Sequence, residues 1–265
     1  LLLSDMASVL KNVKGALIDL SGTLHVEDQA ISGAIKAIDR LVCSDIKYKF
    51  ITNTTKESKA DLYSRLKSIG FNIQFDSIMT SLTVASEYVD RKNLNPFYML
   101  QESALKDFKT PTQNNHDSVV IGLAPDAFCY DKINKAFRLI QSGAELIAIH
   151  KSRYFKTNEG LCLGPGGFVT GLEYATGVKA IVLGKPSPDF FHACLESIKV
   201  SPSEAVMIGD DVLDDVIGAQ DAGITGILVQ TGKYKPGDEN KHPSKTPNYV
   251  VESISDAIDM ILPSR

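Results

Sequence analysis

The sequence predicts an α/β fold in which a parallel sheet carries a second α/β domain inserted into its middle. Two observations carry that expectation. Short β-branched runs alternate with segments of helical period, the pattern of parallel strands joined by crossover helices. Between about residues 82 and 178 the order gives way to a stretch with strands and helices of its own. The expected boundaries are residues 1–81 and 179–265 for the main domain and 82–178 for the insertion. A chain of 265 residues sits above the usual single-domain size and suits either one large domain or two smaller ones.

The first strand is Gly15-Ala16-Leu17-Ile18-Asp19-Leu20. A helix is expected over 31–42, with Ile35, Ile38 and Leu41 on one face, and the next strand over 48–52. A helix from about Ser58 should stop at Gly70, which can turn left-handed without a Cβ penalty. The insertion reads as strands over 96–100, 118–123 and 145–149 with helices over 81–91, 131–140 and 168–176. The main domain is expected to resume with a strand over 180–183. Ser187-Pro188 then supplies an N-cap and first turn for a helix to Ile198. Ser201-Pro202-Ser203-Glu204 fits a capping box, and strands follow over 205–208 and 224–229.

Composition narrows the class. The chain is 43% hydrophobic and 23% charged, enough for a core, and its net charge of −4 lacks the basic footprint that nucleic acid demands. No apolar run approaches a membrane span. Cys43, Cys129, Cys162 and Cys194 form no C-x-x-C pair, which offers neither a zinc knuckle nor a disulfide framework and suits a reducing compartment. The opening Leu1-Leu2-Leu3-Ser4-Asp5-Met6 is broken by Asp5 and lacks a basic head, so it reads poorly as a signal peptide. Met6 is the expected start and the cytoplasm the expected location.

Ligands of parallel α/β sheets sit beyond the carboxyl ends of the strands. Four expected strands end there in polar residues: Asp19-Leu20-Ser21-Gly22-Thr23, Thr52-Asn53, Gly184-Lys185-Pro186, and Gly209-Asp210-Asp211 followed by Asp214-Asp215. Singly, each has a plainer reading: a helix cap, a turn, a solvated lysine, a hydrated acidic surface. Their joint placement at strand ends is harder to assign to chance.

The runs Ile18–Leu24, Phe50–Ser58, Gly184–Pro188 and Met207–Asp215 resemble the four motifs of the haloacid dehalogenase superfamily of phosphatases. The nearer likeness is to the branch with a large α/β cap between the second and third motifs, and it covers essentially the whole chain. The resemblance implies a Rossmann-like core, Mg²⁺ as cofactor and a small phosphorylated substrate. It makes Asp19 the nucleophile and implies metal ligation by the Asp19 carboxylate, the Ser21 carbonyl and Asp210. Thr52, Lys185 and the backbone N–H groups of Leu20, Ser21 and Asn53 would hold the phosphoryl oxygens, with Thr54 beside them. Asp215 would orient Lys185 or a metal-bound water. Of Asp211 and Asp214, one would belong to the ligand shell and the other would cap the next helix. Caps of this kind often present dimer surfaces, so a homodimer is an open expectation.

Ser21 departs from the family pattern, which usually has a second Asp there as acid for the leaving group and base for water. A serine hydroxyl does not titrate near neutral pH, and general acid–base help is worth about 10²–10⁴-fold. Three alternatives stand: another group substitutes, the leaving group needs no proton, or turnover is slow. His25 is close in sequence but is expected on the loop, out of reach. In the cap, the stretch His150-Lys151-Ser152-Arg153-Tyr154-Phe155-Lys156 is either a solvated basic loop or the source of substrate contacts, with His150 and Arg153 as the candidates. Lys185 precedes Pro186 in no P-loop pattern, and no strand leads into G-x-G-x-x-G, which sets aside nucleotide and dinucleotide binding. The rival from another class is a non-catalytic module that keeps metal and phosphate binding.

Overall fold

Runs such as Gly15–Asp19 and Ala205–Gly209 are buried at every position, as strands of a parallel sheet covered on both faces must be. The structure, a computed structural model, describes residue 10 and residues 12–109, 115–157 and 159–262. The opening segment with its expected start at Met6 lies outside the described residues.

Strand β1 (Gly15–Asp19) leads into a short hairpin, β2 (His25–Val26) and β3 (Gln29–Ala30), before β4 (Lys47–Thr52) and β5 (Ile78–Thr80). The middle of the chain adds β6 (Pro96–Met99), β7 (Ser118–Ile121), β8 (Glu145–Ala148), the hairpin β9 (Tyr154–Thr157) and β10 (Gly160–Leu163), and β11 (Ile181–Val182). It ends with β12 (Ala205–Gly209), β13 (Thr225–Val229) and β14 (Tyr249–Val251). One sheet has the order β14-β13-β12-β1-β4-β5 and a second the order β11-β8-β7-β6. Every pairing in both is parallel. This is the Rossmann-like α/β architecture with a second α/β sheet that the sequence predicts. Among the described residues no helix is long and apolar enough to cross a membrane.

Alternation along β1 sorts its side chains to two faces. Ile18 packs with Phe50, Leu62 and Ile258, whereas Leu17 packs with Phe190, Phe191 and Met207. Truncating either Phe50 or Phe190 to alanine would cost about 3–5 kcal/mol of stability. Local signals hold these layers in place. Ser58 Oγ accepts the Asp61 N–H at 3.1 Å to cap the helix Lys59–Ile69, and Gly70 ends it with φ of 114°.

Three local expectations change. The strand before Lys185 belongs to the second sheet: Ile181 pairs with Ile147 and Val182 with Ala148. The free edge of β8 captures these two residues, and the Leu183 and Gly184 N–H groups extend the contact onto Ala148 and Ile149. Lys185 therefore reaches the main sheet from a loop. Ser201–Glu204 forms no capping box but a single 3₁₀ turn, Pro202–Glu204, because the apolar run of β12 begins at once and no helix can propagate. The helix between β3 and β4 starts after Gly33, at Ala34 rather than near residue 31.

Register decides what meets at the sheet's edge. Ile18 pairs with Ile208, and Asp19 pairs with Ile51. Asp19, Thr52 and Asp210 consequently emerge side by side at the carboxyl ends of β1, β4 and β12.

Candidate active site

Asp19 lies at the end of β1 with 6% of its surface exposed. Its Oδ1 accepts a hydrogen bond from Lys185 Nζ at 2.5 Å, and its Oδ2 accepts one from Thr23 Oγ1 at 3.3 Å. The same ammonium donates to Asp215 Oδ1 at 2.6 Å. Burial alone would lower the Lys185 pKa, but the carboxylates of Asp19 and Asp215 outweigh it and hold the group above its ordinary value. Lys185 is thus a fixed cation. Its position is set by the Asn53 amide, which accepts the Lys185 N–H and donates to the Lys185 carbonyl, each at 2.9 Å. The Asn53 side chain is a clamp on Lys185, not a group free for substrate. Thr52, at the end of β4, accepts the Thr54 N–H on its Oγ1 at 3.1 Å.

The acidic run after β12 divides its work. Asp211 caps the following helical turn, accepting the N–H groups of Leu213 and Asp214 at 2.9 and 3.0 Å. Asp214 accepts Ser152 Oγ from the inserted segment at 2.5 Å. Asp215 Oδ2 accepts the Asp211 N–H at 3.1 Å. Asp210 is 2% exposed and gives one oxygen, Oδ2, to the Lys233 N–H at 2.6 Å, while Oδ1 is buried without a partner. Burial pushes the Asp210 carboxyl well above the usual range, against the nearby Lys233 ammonium.

That orphaned oxygen tests whether the site suits a cation. Asp19, Asp210 and Asp215 each offer a carboxylate oxygen, and the three lie within 4.8 Å of one another. All are buried and all are hard oxygen donors, with no Cys or His among them, a set suited to Mg²⁺ or Ca²⁺ rather than to a thiophilic metal. The residues fit.

A cavity of about 370 Å³ opens above this cluster. Asp19, Ser21, Thr52, Asn53, Thr54 and Lys185 line its floor; His150, Ser152, Tyr154, Phe155 and Lys156 line the wall from the inserted segment. His150 is 7% exposed, and burial with the Lys233 and Lys185 charges lowers its pKa to about 3, so the ring is neutral. Two expectations fail here. Arg153 stands exposed and is absent from a wall that Ser152, Tyr154, Phe155 and Lys156 line; its guanidinium lies over the Tyr154 ring, 5.9 Å from the centroid, a cation–π placement that holds it away from the cavity. His25 is not out of reach: it is 2% exposed and lines the cavity. The bridge between Ser21 and His25 and the β2–β3 hairpin fold the loop back. Its Nδ1 is 2.8 Å from the Glu27 carbonyl, and its Nε2 is buried without a partner.

Sequence reasoning missed Lys233, which lines the cavity and pairs with Asp211 Oδ2 at 2.7 Å. It follows the end of β13, so the strand-end rule that flagged the other residues would have found it.

A haloacid dehalogenase-like hydrolase model matches residues 16–110, and a HAD-hydrolase-like model matches residues 182–257. Bovine haloacid dehalogenase-like hydrolase domain-containing protein 2 is 52% identical over 94% of this chain and 96% of its own length. The chain belongs to the haloacid dehalogenase-like hydrolases. Within them it is a phosphatase by class. Mouse phospholysine phosphohistidine inorganic pyrophosphate phosphatase is 37% identical over 97% of both chains. The 4-nitrophenylphosphatase of Thermotoga maritima superposes with a TM-score of 0.88 over 96% of this chain and 99% of its own, at 24% identity, a likeness of fold.

Proposed function

We propose that this haloacid dehalogenase-like hydrolase is a Mg²⁺-dependent phosphatase that takes the phosphoryl group of a small compound onto Asp19. Its preferred substrates are those whose leaving group departs without a proton from the enzyme, such as phosphoramidates and pyrophosphate. The observation that carries the reading is the joint placement of Asp19, Thr52 and Lys185 on one cavity floor, with Ser21 where a titrating acid would stand. The mouse relative is named for phospholysine, phosphohistidine and pyrophosphate, which supports the substrate class.

Asp19 attacks phosphorus, the bond from phosphorus to the leaving group breaks, and the leaving group carries off the electron pair. Lys185, locked between Asp19 and Asp215, holds Asp19 in line and faces the phosphoryl oxygens; Thr52 and Thr54 bind those oxygens. Water then attacks the aspartyl phosphate, which releases phosphate and restores the carboxylate. Asp19, the Ser21 carbonyl and Asp210 would hold Mg²⁺, whose charge lets a carboxylate meet a phosphate anion. Asp215 steadies Lys185, and Asp211 holds the helix that carries Asp215. The inserted segment acts as a cap on a core made of residues 1–81 and 179–265, with the cap's sheet extended to Val182. Four free cysteines suit a cytoplasmic setting.

Because no carboxyl stands at Ser21, the test is a plot of log(kcat/KM) against leaving-group pKa. A steep negative slope is expected, with Ser21→Asp flattening it and raising alkyl phosphate turnover about tenfold or more. One observation favours a rival proton source, the unpartnered Nε2 of His25 beside the cavity, which donates only from the doubly protonated ring because Nδ1–H is given to the Glu27 carbonyl. A flat wild-type line that steepens in His25→Asn would assign the proton to His25 and overturn the leaving-group reading.

A further inference from the structure

The segment Thr231-Gly232-Lys233, one residue past β13, touches the Gly22 turn and the acidic run after β12 at three points that the phosphoryl-transfer reading leaves unexplained. Thr231 Oγ1 donates to the Gly22 carbonyl at 2.6 Å. The Lys233 N–H donates to Asp210 Oδ2 at 2.6 Å. Lys233 Nζ pairs with Asp211 Oδ2 at 2.7 Å.

Between the first two lies Gly232, left-handed at φ of 60°, and opposite it Gly22 at φ of 94°. A Cβ on Gly232 would run into the Asp210 carboxylate and into Gly22 itself, 2.7 Å from the Gly22 carbonyl oxygen. A Cβ on Gly22 would strike the same carboxylate. Two bare backbones therefore close on Asp210 from both sides, which only glycine permits at such positive φ and such short approach.

The consequence is a chosen carboxylate orientation. One Asp210 oxygen is spent on a backbone donor that does not rotate away, and the other, Oδ1, is left buried and unpartnered among Asp19 and Asp215. A buried acceptor with no partner is costly in isolation, so an arrangement that enforces it points to an occupant that completes it.

We infer that Thr231-Gly232-Lys233 is a positioning strap for the divalent-cation site, fixing Asp210 so that Oδ1 faces the cation and thereby setting the affinity for it. The inference rests on the cation-dependent reading above. In this role the strap works through Asp210 and through the Gly22 turn beside Asp19.

The test compares Thr231→Val, which removes one hydrogen bond at nearly constant shape, with Thr231→Ser, which keeps it. Mn²⁺ binding to the full chain is followed by electron paramagnetic resonance of the free ion, with Mg²⁺ displacement to identify the site. Loss of one buried hydrogen bond predicts an apparent Kd raised about five- to tenfold in Thr231→Val, restored to within about twofold in Thr231→Ser. At saturating Mg²⁺ the kcat of Thr231→Val should return to within about threefold of wild type. Gly232→Ala should weaken the ion further, or fail to fold; in that event the Thr231 pair carries the decision. A lower melting temperature in Thr231→Val with unchanged Mn²⁺ affinity would make the strap structural only and overturn the inference. Wild type that binds neither ion would instead overturn the cation-dependent reading.

Discussion

The floor and the wall of the cavity are built on different terms. On the floor, Asp19, Thr52, Lys185 and Asp215 are all buried, as is the neighbouring Asp210; Lys185 ties Asp19 to Asp215, and the Lys233 N–H holds Asp210. The wall from the inserted segment is half-buried and aromatic: Tyr154 and Phe155 sit on a two-stranded hairpin, and Phe155 stacks on the core's Lys56 at 3.9 Å. A preorganised charge cluster costs little rearrangement at the moment of reaction and is indifferent to the rest of the substrate. A half-buried aromatic wall makes contact by shape and can differ between substrates without disturbing the charges. Under the proposed function, chemistry and selection would be housed in separate parts of the chain, joined by a few polar ties such as Ser152 to Asp214 and the Leu123 N–H to Thr55 Oγ1 at 2.7 Å.

The sharpest way to break that division is to remove a charge from the floor. Lys185→Met leaves Asp19 and Asp215 buried together without their shared cation. It should lower kcat/KM by about 10²–10³-fold for every substrate. Loss of the buried partner should also cost about 3 kcal/mol in chemical denaturation. A loss confined to one substrate class would mean that the floor also selects.

A change in the wall should be smaller and uneven. Phe155→Ala removes an aromatic surface and the cation–π contact with Lys56. Expected is a KM raised about three- to tenfold for bulky substrates, with kcat within about threefold and pyrophosphate nearly unaffected. Steady-state kinetics on a bulky and a small substrate check this, and a uniform fall in kcat would contradict the separation.

The two parts also differed in how far the sequence disclosed them. The floor was legible because parallel strands announce themselves as short apolar runs, and the polar residue ending each run must fall at the same edge of the sheet. Asp19, Thr52 and Asp210 needed nothing more. Ser58 and Gly70 marked a helix by capping chemistry alone. What stayed hidden depends on which partner a segment finds. Ile181–Val182 is a strand by pattern, yet nothing local says that β8 takes it rather than the main sheet. His25 faces inward because a bridge to Ser21 folds its loop, a tertiary event with no periodic trace. Arg153 and Tyr154 are neighbours in a basic aromatic run, and only the fold decides which of them lines the cavity.

In the proposed reaction Asp19 receives the phosphoryl group, and Ser21 leaves no carboxyl acid two residues beyond it. The most direct measurement is rapid acid quench of the enzyme with radiolabelled pyrophosphate and Mg²⁺, followed by peptide mapping. Label on the peptide that carries Asp19, labile to hydroxylamine and absent in Asp19→Asn, is the predicted result. Because Ser21 gives the attacking water no carboxylate base, that label should build up before steady state. Product release with no covalent label at any time, or label retained in Asp19→Asn, would contradict the account.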